Sequence, residues 1–220
     1  MILYEDNHLV AVNKPFGMPS QGDATGDESV FDWVKEYIRV TYNKPGNVYT
    51  ALLHRLDRPA GGVLLLAKTS KAAARMSKQF QEKKPQKKYY AITERIPDQK
   101  SGDLKHFLKQ IKGKNIMRAF HKPVHAAKES DLSFKVLKEK EGRALIEVQL
   151  KTGRKHQIRV QLASIGAVIV GDVKYGKSKF LPDRSIALLA KELSFVHPTT
   201  KEEIKIEAPL PDTEPWKVFK

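Results

Sequence analysis

The sequence predicts an α+β fold: a mixed, largely antiparallel sheet with flanking helices. Three observations point there. Short apolar or alternating runs, bounded by Gly, Pro, Asn and Asp, recur from Ile2 to Ala208. Helical periodicity is confined to a few segments. No regular strand–helix–strand alternation appears, so parallel winding is not indicated. At 220 residues with 40% hydrophobic side chains, the chain can bury a real core.

In order along the chain, Met1–Glu5 and Leu9–Asn13 read as strands. Asn13-Lys14-Pro15-Phe16-Gly17 breaks into a loop that continues through Gly26. Asp27-Glu28-Ser29 opens a helix, its early acids facing the positive end of the dipole. Val30, Val34, Tyr37 and Ile38 share one helical face up to about Val40. Asn43 to Gly46 is a turn. Ala51–His54 is short and apolar, and Gly61–Ala67 (GGVLLLA) reads as a buried strand. Ser70 is expected to cap a helix to about Gln81. Lys87–Thr93 is a strand.

Residues 98–130 are basic and broken by Gly102 and Gly113, and they read as a peripheral hairpin or insertion. Leu132–Leu137 and Ala144–Lys151 are strands. Thr152-Gly153 opens a helix over Lys155–Ser164. Val168–Val170 is short and apolar, and Ile186–Phe195 and Glu203–Ala208 are late strands. No repeat, heptad pattern or long linker divides the chain, so residues 1–220 are read as one domain.

Lysine and arginine total 40 against 25 acids, a net charge of +15. A polyanionic partner fits that excess. The segment Lys68–Lys128 holds 17 basic and 4 acidic residues, +13 of the total. Lys83, Lys84, Lys87 and Lys88 run into Tyr89 and Tyr90. That mixture suits a groove that follows phosphates and stacks on bases, against the plainer reading of a solvated surface. There is no cysteine, which excludes disulfides, Cys-based metal sites and a thiol nucleophile. No apolar run is long enough to cross a membrane as a helix, and Met1 is followed by a strand rather than a leader. A cytoplasmic, nucleic-acid-facing protein is the expectation.

Three constellations could carry chemistry. In Leu53-His54-Arg55-Leu56-Asp57-Arg58 a strand delivers a carboxylate into a loop beside two arginines and a histidine. Those cations favour an ionised Asp57, able to act as nucleophile, base or electrostatic stabiliser, or equally to form a structural ion pair. In Thr152-Gly153-Arg154-Lys155-His156-Gln157-Ile158-Arg159 the basic side chains would meet a helix N-terminus, and an anion site and a structural turn are both open. Gly171-Asp172-Val173-Lys174-Tyr175-Gly176-Lys177-Ser178 satisfies the phosphate-loop pattern. Pro182 follows too soon for the long helix such a loop must open, so an NTP-dependent phosphotransferase is the weaker alternative. His121 and His125 stand at helical spacing, but Pro123 between them argues against a helical metal pair.

Together these segments resemble the RluA-type family of RNA pseudouridine synthases. Four blocks carry the resemblance in the family's order: Tyr4-Glu5-Asp6 with Asn13-Lys14-Pro15-x-Gly17; His54-Arg55-Leu56-Asp57-Arg58 with Gly62 and Ala67-Lys68; Lys87-x-Tyr89-x-Ala91; and Thr152-Gly153-Arg154-x-His156-Gln157-Ile158-Arg159 with Gly171-Asp172-x-x-Tyr175-Gly176. They cover roughly residues 1 to 210 and re-explain the phosphate-loop match. The chain differs in having Ala60-Gly61-Gly62 where the family often has Thr-Ser-Gly, and Gln161 where it often has His.

The resemblance implies a pseudouridine synthase fold with a central active-site cleft, and isomerisation of uridine in rRNA or tRNA after the base is flipped out. Asp57 would be the catalytic aspartate. Tyr89 would stack on the flipped base, and Arg159 would pair with Asp57 and help hold the nucleotide. His54 and Arg55 would shape the loop or touch RNA, and Arg154, His156 and Gln157 would join the substrate-binding set. No cofactor and no metal are implied, and a monomer is expected. The family's frequent S4-type domain has no place ahead of the first block, so the basic stretch would serve RNA binding. A noncatalytic RNA-binding protein on the same scaffold is the main alternative.

Overall fold

A computed structural model describes residues 1–177 and 179–220. It forms two compact units, Met1–Gln86 with Ala190–Ala208, and Lys87–Leu189 with Pro209–Lys220. The architecture is α+β, with three α-helices among the described residues and a sheet made largely of antiparallel pairs.

In the first unit, β1 (Ile2–Glu5) pairs with β2 (Leu9–Lys14), and β2 with β4 (Gly61–Ala67), each antiparallel. Every residue of β4 is buried. A strand covered on both faces reads as an unbroken apolar run, which is why GGVLLLA shows no alternation. The short β3 (Ala51–Leu52) pairs with the far end of β4. The last strands are β10 (Leu188–Val196) and β11 (Glu203–Glu207), antiparallel to each other.

Helix α1 (Val30–Thr41) buries Val30, Val34 and Ile38, the i, i+4, i+8 stripe of one face. Ser29 caps it: its Oγ accepts from Asp32 N at 3.2 Å and donates to the Asp32 carboxylate at 2.6 Å. Helix α2 (Ser70–Gln81) starts one position away from the expectation. Thr69, not Ser70, is the cap, and its Oγ1 accepts from Ala72 N at 3.2 Å. The first block of the sequence pattern is structural here. Glu5 accepts hydrogen bonds from Lys68, Tyr37 and Tyr42, tying β1 to α1 and to the end of β4.

In the second unit the strand order is β5 (Gln86–Thr93), β9 (Arg143–Leu150), β8 (Lys128–Lys140), β6 (Ser101–Gln110) and β7 (Met117–Phe120). The basic stretch around residues 98–130 is therefore sheet: β6 pairs with β8 from Ser101 to Leu108 and turns into β7 as a hairpin. Helix α3 runs over Gln157–Ser164 and starts two residues later than its sequence suggests. His156 before it has φ +53°, a left-handed conformation that cannot continue a helix backwards. Lys155 therefore lies outside the helix and does not share a face with Arg159.

Candidate active site

Asp57 sits, part-exposed, in the loop between β3 and β4. That loop is tied to the segment that follows β2 through Leu56 and Arg58. Ser20 Oγ donates to Leu56 O at 2.9 Å and accepts from Leu56 N at 3.1 Å. Gly17 N donates to Arg58 O at 3.0 Å, and Arg58 Nε returns a bond to Gly17 O at 2.9 Å. Arg58 also reaches Thr25 Oγ1 at 3.0 Å and pairs with Asp27 and Asp23. The arginine next to Asp57 is thus spent on pinning the loop across residues 17–27.

The strongest anchor is Lys14, whose side chain is almost wholly buried. Its Nζ donates to Pro15 O at 2.8 Å, Met18 O at 2.6 Å and Arg58 O at 3.1 Å. Three carbonyls match the three hydrogens of an ammonium. Burial pulls the Lys14 pKa from 10.5 down to about 7, the Asp57 carboxylate pulls it back up, and the Arg58 cation adds to the fall. The sequence pattern contained Lys14 without assigning it work. Only the fold places its amine under the Asp57 loop.

Two glycines close the loop onto β4. Gly62 has φ +109°, and a Cβ there would stand 2.3 Å from Ala190 O. A Cβ on Gly61 would meet the Phe16 ring at 2.8 Å. The Gly61 that departs from the family's usual serine is therefore matched to Phe16. His54 Nε2 accepts from Leu65 N at 3.1 Å and its ring stacks on Phe80 at 5.3 Å. That acceptor role puts the ring proton on Nδ1. Arg55 is exposed.

In the second unit, Tyr89 is buried on β5 opposite Val148 of β9. Arg159 on α3 is 4% exposed, and Asp172 1%. Arg159 Nε donates to Asp172 Oδ2 at 2.7 Å and Nη2 to Oδ1 at 2.8 Å, a bidentate grip that fixes the guanidinium plane. The guanidinium also lies 5.3 Å from the Tyr175 ring centroid. Tyr175 Oη accepts from Met117 N at 2.8 Å and stands 2.7 Å from His156 Nδ1.

Gln157 and Arg154 brace the turn before α3. Gln157 Oε1 accepts from Arg154 N and Thr152 Oγ1, both at 2.9 Å, and Nε2 donates to Asp131 O at 3.1 Å. Arg154 Nε donates to Glu129 O at 3.0 Å. Lys87, in the tyrosine block, is half-buried, and desolvation depresses its pKa. Asp172 and Tyr175 belonged to a quoted motif but received no role from sequence, because their partners lie in distant stretches.

The phosphate-loop match resolves into packing. A Cβ on Gly171 (φ +84°) would stand 2.7 Å from Ser185 O, and one on Gly176 would stand 2.3 Å from Val168. Residues 171–177 form turns, and no helix follows among the described residues; Ser178, the motif's last position, lies outside them. His121 packs its ring against His106 at 4.8 Å. Among the described residues no group of three or more His, Cys, Asp or Glu could hold a metal ion. No helix among them is long and apolar enough to cross a membrane.

The first unit carries a carboxylate in a pinned loop, and the second carries a buried tyrosine and an arginine clamped by Asp172. A family model for RNA pseudouridylate synthase matches residues 8–164, and the chain belongs to that family. It is 38% identical over 221 residues to a ribosomal large subunit pseudouridine synthase C from Buchnera aphidicola, covering 96% of this chain and 67% of the relative. It is 33% identical to a tRNA pseudouridine synthase C from Vibrio parahaemolyticus, covering 96% of this chain and 91% of the relative. Among solved structures, human RNA pseudouridylate synthase domain containing 4 superposes with a TM-score of 0.77 at 26% identity, over 96% of this chain and 88% of that one. The chain is an RNA pseudouridine synthase, an isomerase on the pseudouridine synthase fold.

Proposed function

We propose that this protein isomerises uridines of rRNA or tRNA with Asp57 as its catalytic carboxylate, acting as a monomer in the cytoplasm without cofactor or metal. The observation that carries the reading is the loop of Asp57, pinned by Lys14, Ser20 and Arg58 inside the segment matched by the family model.

The reaction breaks the N1–C1′ bond of uridine, turns the base and forms a C5–C1′ bond. The C5 proton leaves and N1 gains one, so no other reactant is consumed. Asp57 supplies the carboxylate that engages the uridine, and proton transfers complete the exchange. The uridine leaves its stack at a cost of a few kcal/mol. Stacking on Tyr89, worth about 1–3 kcal/mol, offsets much of that cost. Arg159, with its plane set by Asp172, pairs with the Asp57 carboxylate and helps hold the nucleotide. Arg55, Arg154 and His156 contact the RNA, while His54 and Gln157 hold the backbone that presents them. The Buchnera and Vibrio relatives are named for ribosomal and transfer RNA, which supports those two substrate classes.

The test is release of tritium from RNA labelled at uridine C5. Wild-type protein is expected to release it, and Asp57→Asn to lose at least about a thousandfold in rate while RNA affinity stays nearly unchanged. An Asp57→Asn protein that still isomerises RNA removes the assignment. Tight RNA binding by wild type with no uridine change in any substrate leaves the noncatalytic binding protein.

A further inference from the structure

Residues 104–128 contain seven lysines and arginines and no carboxylate. Most of the stretch is the β6–β7 hairpin, in which Phe107 stands directly opposite Phe120 and Lys109 opposite Arg118. Directly opposed residues of an antiparallel pair project from the same face, with Cβ atoms about 5 Å apart. Lys105, two residues before Phe107, joins them. The other face of β6 points to the core: Leu104, His106 and Leu108 are buried, and Gln161 of α3 donates to Leu104 O at 2.8 Å. Phe107 and Phe120 thus turn away from the core and are only half-buried.

As a cross-strand pair, the two phenylalanines contribute only about 0.2–1 kcal/mol to the fold. Their surroundings are cationic. The Arg118 guanidinium lies 5.3 Å from the Phe120 centroid. Among the described residues, Lys109 and Arg118 have no carboxylate within ion-pair distance. On the β8 side, the acids Asp103 and Asp131 are occupied by Lys151, and Glu129 borders the patch opposite Phe107. An aromatic pair flanked by unneutralised cations suits a chain that offers bare base faces and phosphates together. Single-stranded RNA does so, whereas a duplex keeps its base faces stacked.

We infer that the outward face of the β6–β7 hairpin docks single-stranded RNA. Two bases lie on Phe107 and Phe120, and phosphates meet Lys105, Lys109 and Arg118. The inference rests on the proposed action on RNA and adds a second contact remote in sequence from Asp57.

The test compares a short fluorescent oligouridylate with a blunt duplex of equal length, using the full chain. Phe107→Leu with Phe120→Leu is expected to weaken oligouridylate binding by about tenfold or more, leaving its salt slope and duplex binding unchanged. Lys109→Ala with Arg118→Ala is expected to flatten the slope of log affinity against log salt by about 0.7 per removed charge. Oligonucleotide carrying 5-iodouridine, irradiated on wild-type protein, should leave adducts on Phe107 or Phe120. Phenylalanine variants that melt like wild type and bind oligouridylate unchanged overturn the inference. If those variants do not fold, the wild-type adducts decide: adducts confined to other residues overturn it. Tritium release by wild type, measured alongside, separates the two readings. Phe-dependent binding without tritium release keeps the docking face and removes the catalysis. Tritium release with Phe-independent binding removes the docking face alone.

Discussion

Lys14 Nζ donates a 3.1 Å hydrogen bond to the carbonyl of Arg58, the residue that follows Asp57, so a buried amine 44 positions upstream holds the Asp57 loop from beneath. The three carbonyls around that amine need three hydrogens, while its burial favours shedding one of them. This tension has consequences for pH.

Burial lowers the Lys14 pKa from 10.5 to about 7, so between those values the unfolded chain binds the extra proton. Stability therefore rises with pH across that window, and below it the folded state carries the desolvated charge. Urea titrations of wild type and Lys14→Met should show their free-energy difference moving in favour of wild type from pH 7 upward. The neutral amine has two hydrogens for three carbonyls, so tritium release by wild type should decline over the same range. A difference that stays constant with pH contradicts the account.

Asp172 is expected to matter through Arg159. Asp172→Ala leaves a buried guanidinium without its bidentate partner and should cost about 3–5 kcal/mol in unfolding free energy. Arg159→Met combined with Asp172→Leu should recover most of that stability and none of the activity. Thermal melts and tritium release on the same preparations check both halves.

Gly61→Ala places a methyl against the Phe16 ring, which a Cβ would meet at 2.8 Å. The substitution should destabilise by about 1–3 kcal/mol, and adding Phe16→Leu should return much of the loss. Gly62→Ala has no such remedy, because its clash at 2.3 Å is with the backbone of Ala190 and its φ is +109°. Chemical denaturation of the two singles and the double variant measures the coupling.

The cap of α2 gives a smaller test. Thr69→Ala removes the bond to Ala72 N and should cost about 1 kcal/mol, while Ser70→Ala should change stability little. The opposite ranking in denaturant melts would assign the cap to Ser70.

Legibility followed locality. Strand β4 and helix α1 were readable because their apolar patterns answer to a single buried face or pair of faces. The four sequence blocks likewise identified the family, since each is short and contiguous. The strands β6 and β7 were obscured because Phe107 and Phe120 occupy outward positions and His106 an inward one, which inverts the expected alternation. The start of α3 was misplaced because a left-handed His156 has no compositional signal. The work of Lys14 and Asp172 could not be read at all. One depends on a partner 44 residues away, the other on a guanidinium that the eye assigns first to substrate.

The backbone contact between Gly62 and Ala190 sets a limit on how this enzyme can be rebuilt. The segment bearing Asp57 is shaped by a strand more than a hundred positions downstream, at the other end of the chain. A chimera that exchanges the aspartate loop alone would inherit a mismatched floor. Grafting between relatives should instead carry residues 54–62 and the β10 strand as one cassette, or neither.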